Sequence, residues 1–216
     1  MTFSSCLINQ RAALVLDASV IINLLATGYA NTILQALAVP IYVSDNVVRE
    51  IGQGEVNGRP EPALLAKLIS DQVLIVEELV GAALEDFFGM VSGHTSSSLG
   101  DGEAATLALA YRNELSAAID EKKATRIAAE SFETLKLVTT VDILASPQVQ
   151  RSLGREALTT AILRALQRAR MQVREHQFDW IAQLIGLENV KACPSLRRHA
   201  KRVPLHLAFE RDQPPL

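Results

Sequence analysis

Five short runs of aliphatic and β-branched residues recur along the chain, separated by longer stretches with helical periodicity, and few folds accept that alternation. A short apolar run bounded by turn residues reads as a strand buried on both faces. When helical segments separate successive runs, the economical solution is a parallel sheet covered by helices. Strands are expected at 13–17, 40–43, 72–76, 116–119 and 136–139, and helices near 19–27, 30–38, 45–53, 61–70, 79–90, 101–112 and 121–131. The crossovers should be right-handed. The fold class is therefore α/β.

The segments between these elements exclude common nucleotide sites. HTSSSLG at 94–100 and GQGEVNGRP at 52–60 read as loops, because Gly, Ser and Pro favour turns. GQGEVNG lacks the GxGxxG spacing and follows a helix instead of a strand, and no GxxxxGK[ST] is present, so neither a dinucleotide nor a P-loop site is expected.

With 216 residues, 49% hydrophobic and only 5% aromatic, the chain should bury one core of Leu, Ile, Val and Ala. Cys6 and Cys193 are far apart, with no CxxC and no His at ligand spacing, which points away from zinc and disulfides and toward a reducing, cytoplasmic setting. His94, His176, His199 and His206 share no spacing and read as surface residues. The most apolar early stretch, ALVLDASVIINLLA, is interrupted by Asp17 and Asn23 and is too short to span a bilayer, so no signal peptide and no membrane anchor are expected.

The net charge of −3 conceals an asymmetry. Residues 1–150 carry 9 Lys and Arg against 18 Asp and Glu, whereas residues 151–216 carry 12 against 6. An acidic body joined to a basic segment suits metal ions at one end and a polyanion at the other; solvated helix faces are the plainer alternative. After the last strand the character changes. Helices are expected at 141–150 and 154–175, then one around Trp180 and Ile185, then an extended tail beyond Cys193. The division expected is an α/β domain at 1–145 and a basic helical extension with an irregular tail at 146–216. Leu158, Ile162, Leu166 and Ala169 form a stripe that must bury against something, and a homo-oligomer or partner-protein surface is the expectation for it.

Chemistry concentrates in carboxylates. Asp17 directly follows ALVL and precedes an apolar helix, which places it at the C-terminal edge of a strand, where open parallel sheets bind ligands. Asp120 repeats the arrangement after SAAI. If these strands are neighbours, the two acids face one crevice and repel by roughly 4 kcal/mol at about 4 Å and an effective dielectric of 20. A cation or a proton is then required, and an all-oxygen site suits a hard dication. Glu50 in DNVVREI, where Val47, Val48 and Ile51 supply the buried stripe, is placed to lean over the sheet edge. Glu103 lies in the first turn of DGEAATLALA, with Asp101 expected as that helix's N-cap. Taken singly, Asp17 and Asp120 also read as helix caps, and Glu50 and Glu103 as solvated charges.

The segments LVLDASVIINLL, VVREI, SLGDGEAATLALA and AAIDEKKATRIAAE resemble the PIN-domain family in their order and spacing, across residues 12–140. The resemblance implies a three-layer sandwich with a five-stranded parallel sheet ordered 3-2-1-4-5, and an endoribonuclease dependent on Mg²⁺ or Mn²⁺. It implies Asp17, Glu50, Glu103 and Asp120 as metal ligands and catalytic residues, with Ser19, Asp101 and Glu121 supporting metal or phosphate. Ala118 departs from the family, where a Ser or Thr often precedes the fourth acid by two positions. The GDGEA and IDEKKA pair looks closest to VapC-type toxin-like nucleases, which implies RNA as substrate and an antitoxin protein as partner. The chain continues beyond the usual end of such a domain, which loosens the toxin reading.

In that reading the metal ions activate water for in-line attack at phosphorus. Lys122, Lys123 and Arg126 are weaker RNA-contact candidates, with solvated surface as the alternative. A non-cleaving PIN-like scaffold that binds RNA or docks protein remains open. A phosphotransferase with an Asp17 nucleophile fits poorly, because haloacid-dehalogenase-like enzymes need a second Asp where Ser19 stands. Trp180 reads as a core or base-stacking residue.

Overall fold

The computed structural model describes residues 13–92 and 98–197. Its centre is a five-stranded sheet in which β1 (Leu14–Leu16), β2 (Ile41–Ser44), β3 (Ile75–Glu77), β4 (Ser116–Ala118) and β5 (Lys136–Val138) follow the order β3-β2-β1-β4-β5. Every pairing is parallel, with Leu14 opposite both Ile41 and Ser116. This is the α/β sheet expected, with the reversal of strand order between β1 and β4.

Alternation along β1 builds two cores at once. Leu14 and Leu16 point into one, and Val15 points into the other, as the two-residue period of a strand requires. The first core is covered by α1 (Ala18–Thr27), α2 (Ala30–Ala36), α3 (Asp45–Gly52) and α4 (Glu61–Ser70). The second lies under α5 (Ala82–Val91), α6 (Asp101–Arg112) and α7 (Lys122–Ser131). Small residues let α6 approach closely: Ala104, Ala105 and Ala108 are wholly buried, and the helix packs against β1, β2 and β4. β3 closes one edge of the sheet and leaves Ile75 and Val76 partly exposed.

The chain beyond β5 forms α8 (Thr140–Leu144), α9 (Pro147–Arg168), α10 (Phe178–Ile185) and α11 (Leu187–Ala192). The stripe expected to meet a partner meets the chain itself. Leu158, Ile162 and Leu166 are buried against α1 and α2 in the same core as Leu14 and Leu16. Each such burial is worth roughly 1.5–3 kcal/mol, which the stripe gains without a second molecule. Trp180 is packed against the same core, so it is not an exposed stacking platform.

Several boundaries differ from the sequence reading: the strand expected at 72–76 lies at Ile75–Glu77, the helix expected near 79–90 at Ala82–Val91, and that expected at 141–150 breaks after Leu144. The expected helix over 154–175 ends at Arg168, because Arg170 takes a left-handed φ of 56° and turns Met171 and Val173 into the core. Its beginning merges with the preceding helical stretch across a kink at Gly154 (φ 69°, ψ 168°). The expected loop over 52–60 contains a 3-10 helix at Gln53–Asn57. Cys6, His94, His199, His206, most of the Ser-rich segment and the tail after residue 197 lie outside the described residues. No helix among the described residues is long and apolar enough to cross a membrane.

Candidate active site

Asp17 leaves β1 with extended dihedrals (φ −79°, ψ 160°) and caps α1. Its Oδ2 accepts from Ser19 N at 3.2 Å and from Ser19 Oγ at 2.6 Å, while its own N–H donates to Ala118 O at 3.1 Å, carrying the β1–β4 ladder one residue past the strand. The cap and the strand-end acid anticipated as alternatives are one and the same residue. Asp17 is 3% exposed, and burial pushes its carboxyl above the usual range against the lowering effect of the Ser19 bonds, with Glu121 adding repulsion.

Asp120 stands across the switch point, two residues after β4 and 4% exposed. It does not cap the following helix; Glu121 does, accepting from Lys123 N at 3.5 Å. Asp120 instead is gripped by residues the sequence reading did not single out. Its Oδ1 accepts from Thr140 N at 2.9 Å, and its Oδ2 from Thr140 Oγ1 at 2.6 Å and Asn23 Nδ2 at 2.7 Å. Two signals were available: Asn23 lies four residues after Ser19 on the same face of an otherwise apolar helix, and Thr139–Thr140 follow a strand as Asp17 does. Burial raises the Asp120 carboxyl, its three hydrogen bonds oppose that, and Asp17 adds to it.

Glu50 and Glu103 arrive from two helices that pack together, α3 and α6. Gly102 leaves the space that the Glu50 carboxylate fills: a Cβ there would run into Glu50 Oε2 and lie 3.3 Å from Glu50 Cδ and 3.4 Å from Val47 Cγ2. Glu50 is exposed as a residue, yet its carboxylate rests against the first turn of α6, where burial raises it and Asp17 and Asp101 repel it. Glu103 is half-buried and raised by burial and by Asp17, Glu121 and Glu50.

The expected role of Asp101 needs correction. Gly100 is the N-cap of α6, and Asp101 is an exposed first-turn residue. With no side chain at the cap, Glu103 reaches back to accept from Gly100 N at 3.3 Å. Of the basic candidates, Lys122 and Arg126 are exposed, Lys123 is half-buried, and Arg126 pairs with Glu130 at 3.1 Å.

Asp17 thus raises the other three acids, and no ion pair with Lys or Arg relieves any of the four among the described residues. The donor set is oxygen only, which fits Mg²⁺ or Mn²⁺. Asp120 has about four lone-pair directions and uses three, so one remains for a cation. Among the described residues no three His, Cys, Asp or Glu form a ready metal cage.

Compared with known proteins, residues 13–187 match a family model described as a PIN domain. No curated protein and no solved structure matches the chain.

Proposed function

Because the chain belongs to the PIN-domain family, whose members are usually nucleases, we propose that it is a divalent-metal-dependent endoribonuclease. The observation that carries this reading is the set of acids around Asp17, all raised by burial and three of them by Asp17 itself, with no ion pair to Lys or Arg among the described residues. Carboxylates in that condition are relieved by a proton or by a dication.

In this reading Asp17, Glu50, Glu103 and Asp120 hold Mg²⁺ or Mn²⁺, which supplies an activated water and charge stabilisation at phosphorus. The protein's own contribution is orientation. Ser19 fixes one oxygen of Asp17, and Thr140 with Asn23 fixes both oxygens of Asp120, so these acids need little reorganisation on binding. Glu103 accepts one bond from the Gly100 amide at Oε2 and keeps Oε1 for the metal. Glu121, coupled to Asp17 and Glu103, adds negative potential, and Lys122, Lys123 and Arg126 in the first turns of α7 are RNA-backbone contacts in the same proposal.

The test is cleavage of structured RNA with Mn²⁺, followed by EDTA. Loss of turnover in EDTA and in Asp17→Asn is the expected result; full activity in either contradicts the mechanism. A toxin role with an antitoxin, a homo-oligomeric state and a cytoplasmic site of action extend the proposal. Stable co-purification with a protein encoded beside it supports the toxin role.

A second reading, a PIN-like module that binds RNA or protein without cleaving, draws support from the lack of a ready cage among the described residues. Salt-dependent RNA binding without turnover in any divalent metal distinguishes it.

A further inference from the structure

A five-residue helix does not hold itself together, since nucleation costs more than one turn returns. Yet α8, which has that length, presents Thr140 to Asp120 with both its N–H and its hydroxyl. What fixes α8 is a cap: Thr139 N and Oγ1 donate to Asp142 Oδ2 at 2.8 and 2.9 Å, and Asp142 N donates to Thr139 Oγ1 at 3.2 Å.

That cap is clamped from 35 or more residues away. Gln177 is wholly buried, and its Nε2 donates to Thr139 Oγ1 at 2.8 Å and to Asp142 Oδ1 at 3.2 Å. Its Oε1 accepts from Arg174 N at 3.0 Å. A buried amide is costly unless its polar atoms are matched, and an apolar residue would fill the volume without that demand. The same segment grips Asp120 a second time, through its backbone: Arg174 Nη2 donates to Thr125 Oγ1 at 2.9 Å and to Asp120 O at 3.5 Å.

The geometry points to Gln177 as a positioning residue for Asp120, acting through the Thr139–Asp142 cap and Thr140, so that the segment after α9 belongs to the candidate site. This rests on the reading of Asp120 as a metal ligand. Groups that orient a ligand from behind typically change metal affinity or activity by about 10–100-fold when lost.

The test compares full-length Gln177→Leu, Thr140→Val and Thr140→Ser proteins by Mn²⁺ titration with electron paramagnetic resonance and by hydrogen exchange of the Thr140 amide in metal-free protein. Gln177→Leu should weaken Mn²⁺ about tenfold and lower kcat on RNA with KM unchanged. Thr140→Val should weaken it at least as much, and Thr140→Ser, which keeps both donors, should restore it. The double variant Gln177→Leu/Thr140→Val should lose less than the two single losses combined, because Gln177 acts in part through the hydroxyl that Thr140→Val removes. Additive losses, or wild-type Mn²⁺ affinity in Gln177→Leu, overturn the relay. If the wild-type protein binds no Mn²⁺, the nuclease reading fails and exchange decides the positioning alone. Thr140 exchanging faster in Gln177→Leu than an α2 reference amide such as Ile33 upholds it, and equal rates overturn it.

Discussion

Replacing Gly102 with alanine sets local helix preference against the position of Glu50. Alanine is favoured over glycine by up to about 1 kcal/mol inside a helix, and somewhat less in a first turn. Gly102 is the second residue of α6. Against this, the new methyl would occupy the place of Glu50 Oε2 and press on Cδ at 3.3 Å and Val47 Cγ2 at 3.4 Å. The Val47 contact needs only a few tenths of an ångström of relief. The Glu50 carboxylate is the mobile end of a long side chain, and it must retreat by about 1 Å to reach ordinary van der Waals separation. Stability should therefore change by less than about 1 kcal/mol in either direction. Displacement of a catalytic group by about 1 Å is enough for a loss near 100-fold in turnover. Urea denaturation and single-turnover RNA cleavage in Mn²⁺ measure the two quantities on one preparation. Unchanged turnover in a folded Gly102→Ala protein would refute the assignment of Glu50 to the site; a loss of several kcal/mol would show that the backbone, not Glu50, had to move.

Other expectations concern charge and packing. The acids Asp17, Glu50, Glu103 and Asp120 are raised in the folded state from ordinary values of 3.8 and 4.5, so the native protein holds these protons more tightly than the unfolded chain. Their stabilising contribution is complete below the unfolded values and is lost as pH rises through the folded ones, with a limiting slope near 1.4 kcal/mol per pH unit per group. In EDTA, thermal unfolding at pH 7 should therefore occur below that at pH 5, and Mn²⁺ should raise it most at pH 7; a melting temperature that climbs with pH in EDTA would count against the acid cluster. Ile162→Ala, at a fully buried position of α9, should cost about 2–5 kcal/mol by urea titration, and a cost under about 0.5 kcal/mol would mean that α9 is not part of the core. Arg126→Ala breaks an exposed pair with Glu130, so stability should shift by less than about 1 kcal/mol. If Arg126 meets an RNA phosphate, the same change should reduce the salt slope of binding by about 1, and an unaltered slope removes it from the interface.

Much of the sheet was legible because its strands are short apolar runs and its edge acids sit immediately after them. Asp17 and Asp120 follow ALVL and SAAI, and parallel pairing alone then puts both at one edge of the sheet. Glu50 and Glu103 could be placed on helices by their periodic neighbours, but nothing local says that Gly102 leaves room for the Glu50 carboxylate. Asp101 was misassigned by one position because a glycine cap leaves no side-chain signature, and its partner Glu103 answers from three residues later. Asn23 and Thr140 are ordinary polar residues until the fold brings them to Asp120 from 97 and 20 residues away.

The sequence by itself determined the alternation of strands and helices, the family and the end of the sheet at which its acids gather, since these depend on periodicity and on what directly follows a strand. Only the tertiary structure decided where residues 140–197 go. An apolar stripe specifies that Leu158, Ile162 and Leu166 must be buried, but not against what, and here α1 and α2 are the nearest surface that takes them. The same is true of Gln177, whose amide demands partners that local sequence cannot name and finds them on Thr139 and Asp142 behind Asp120.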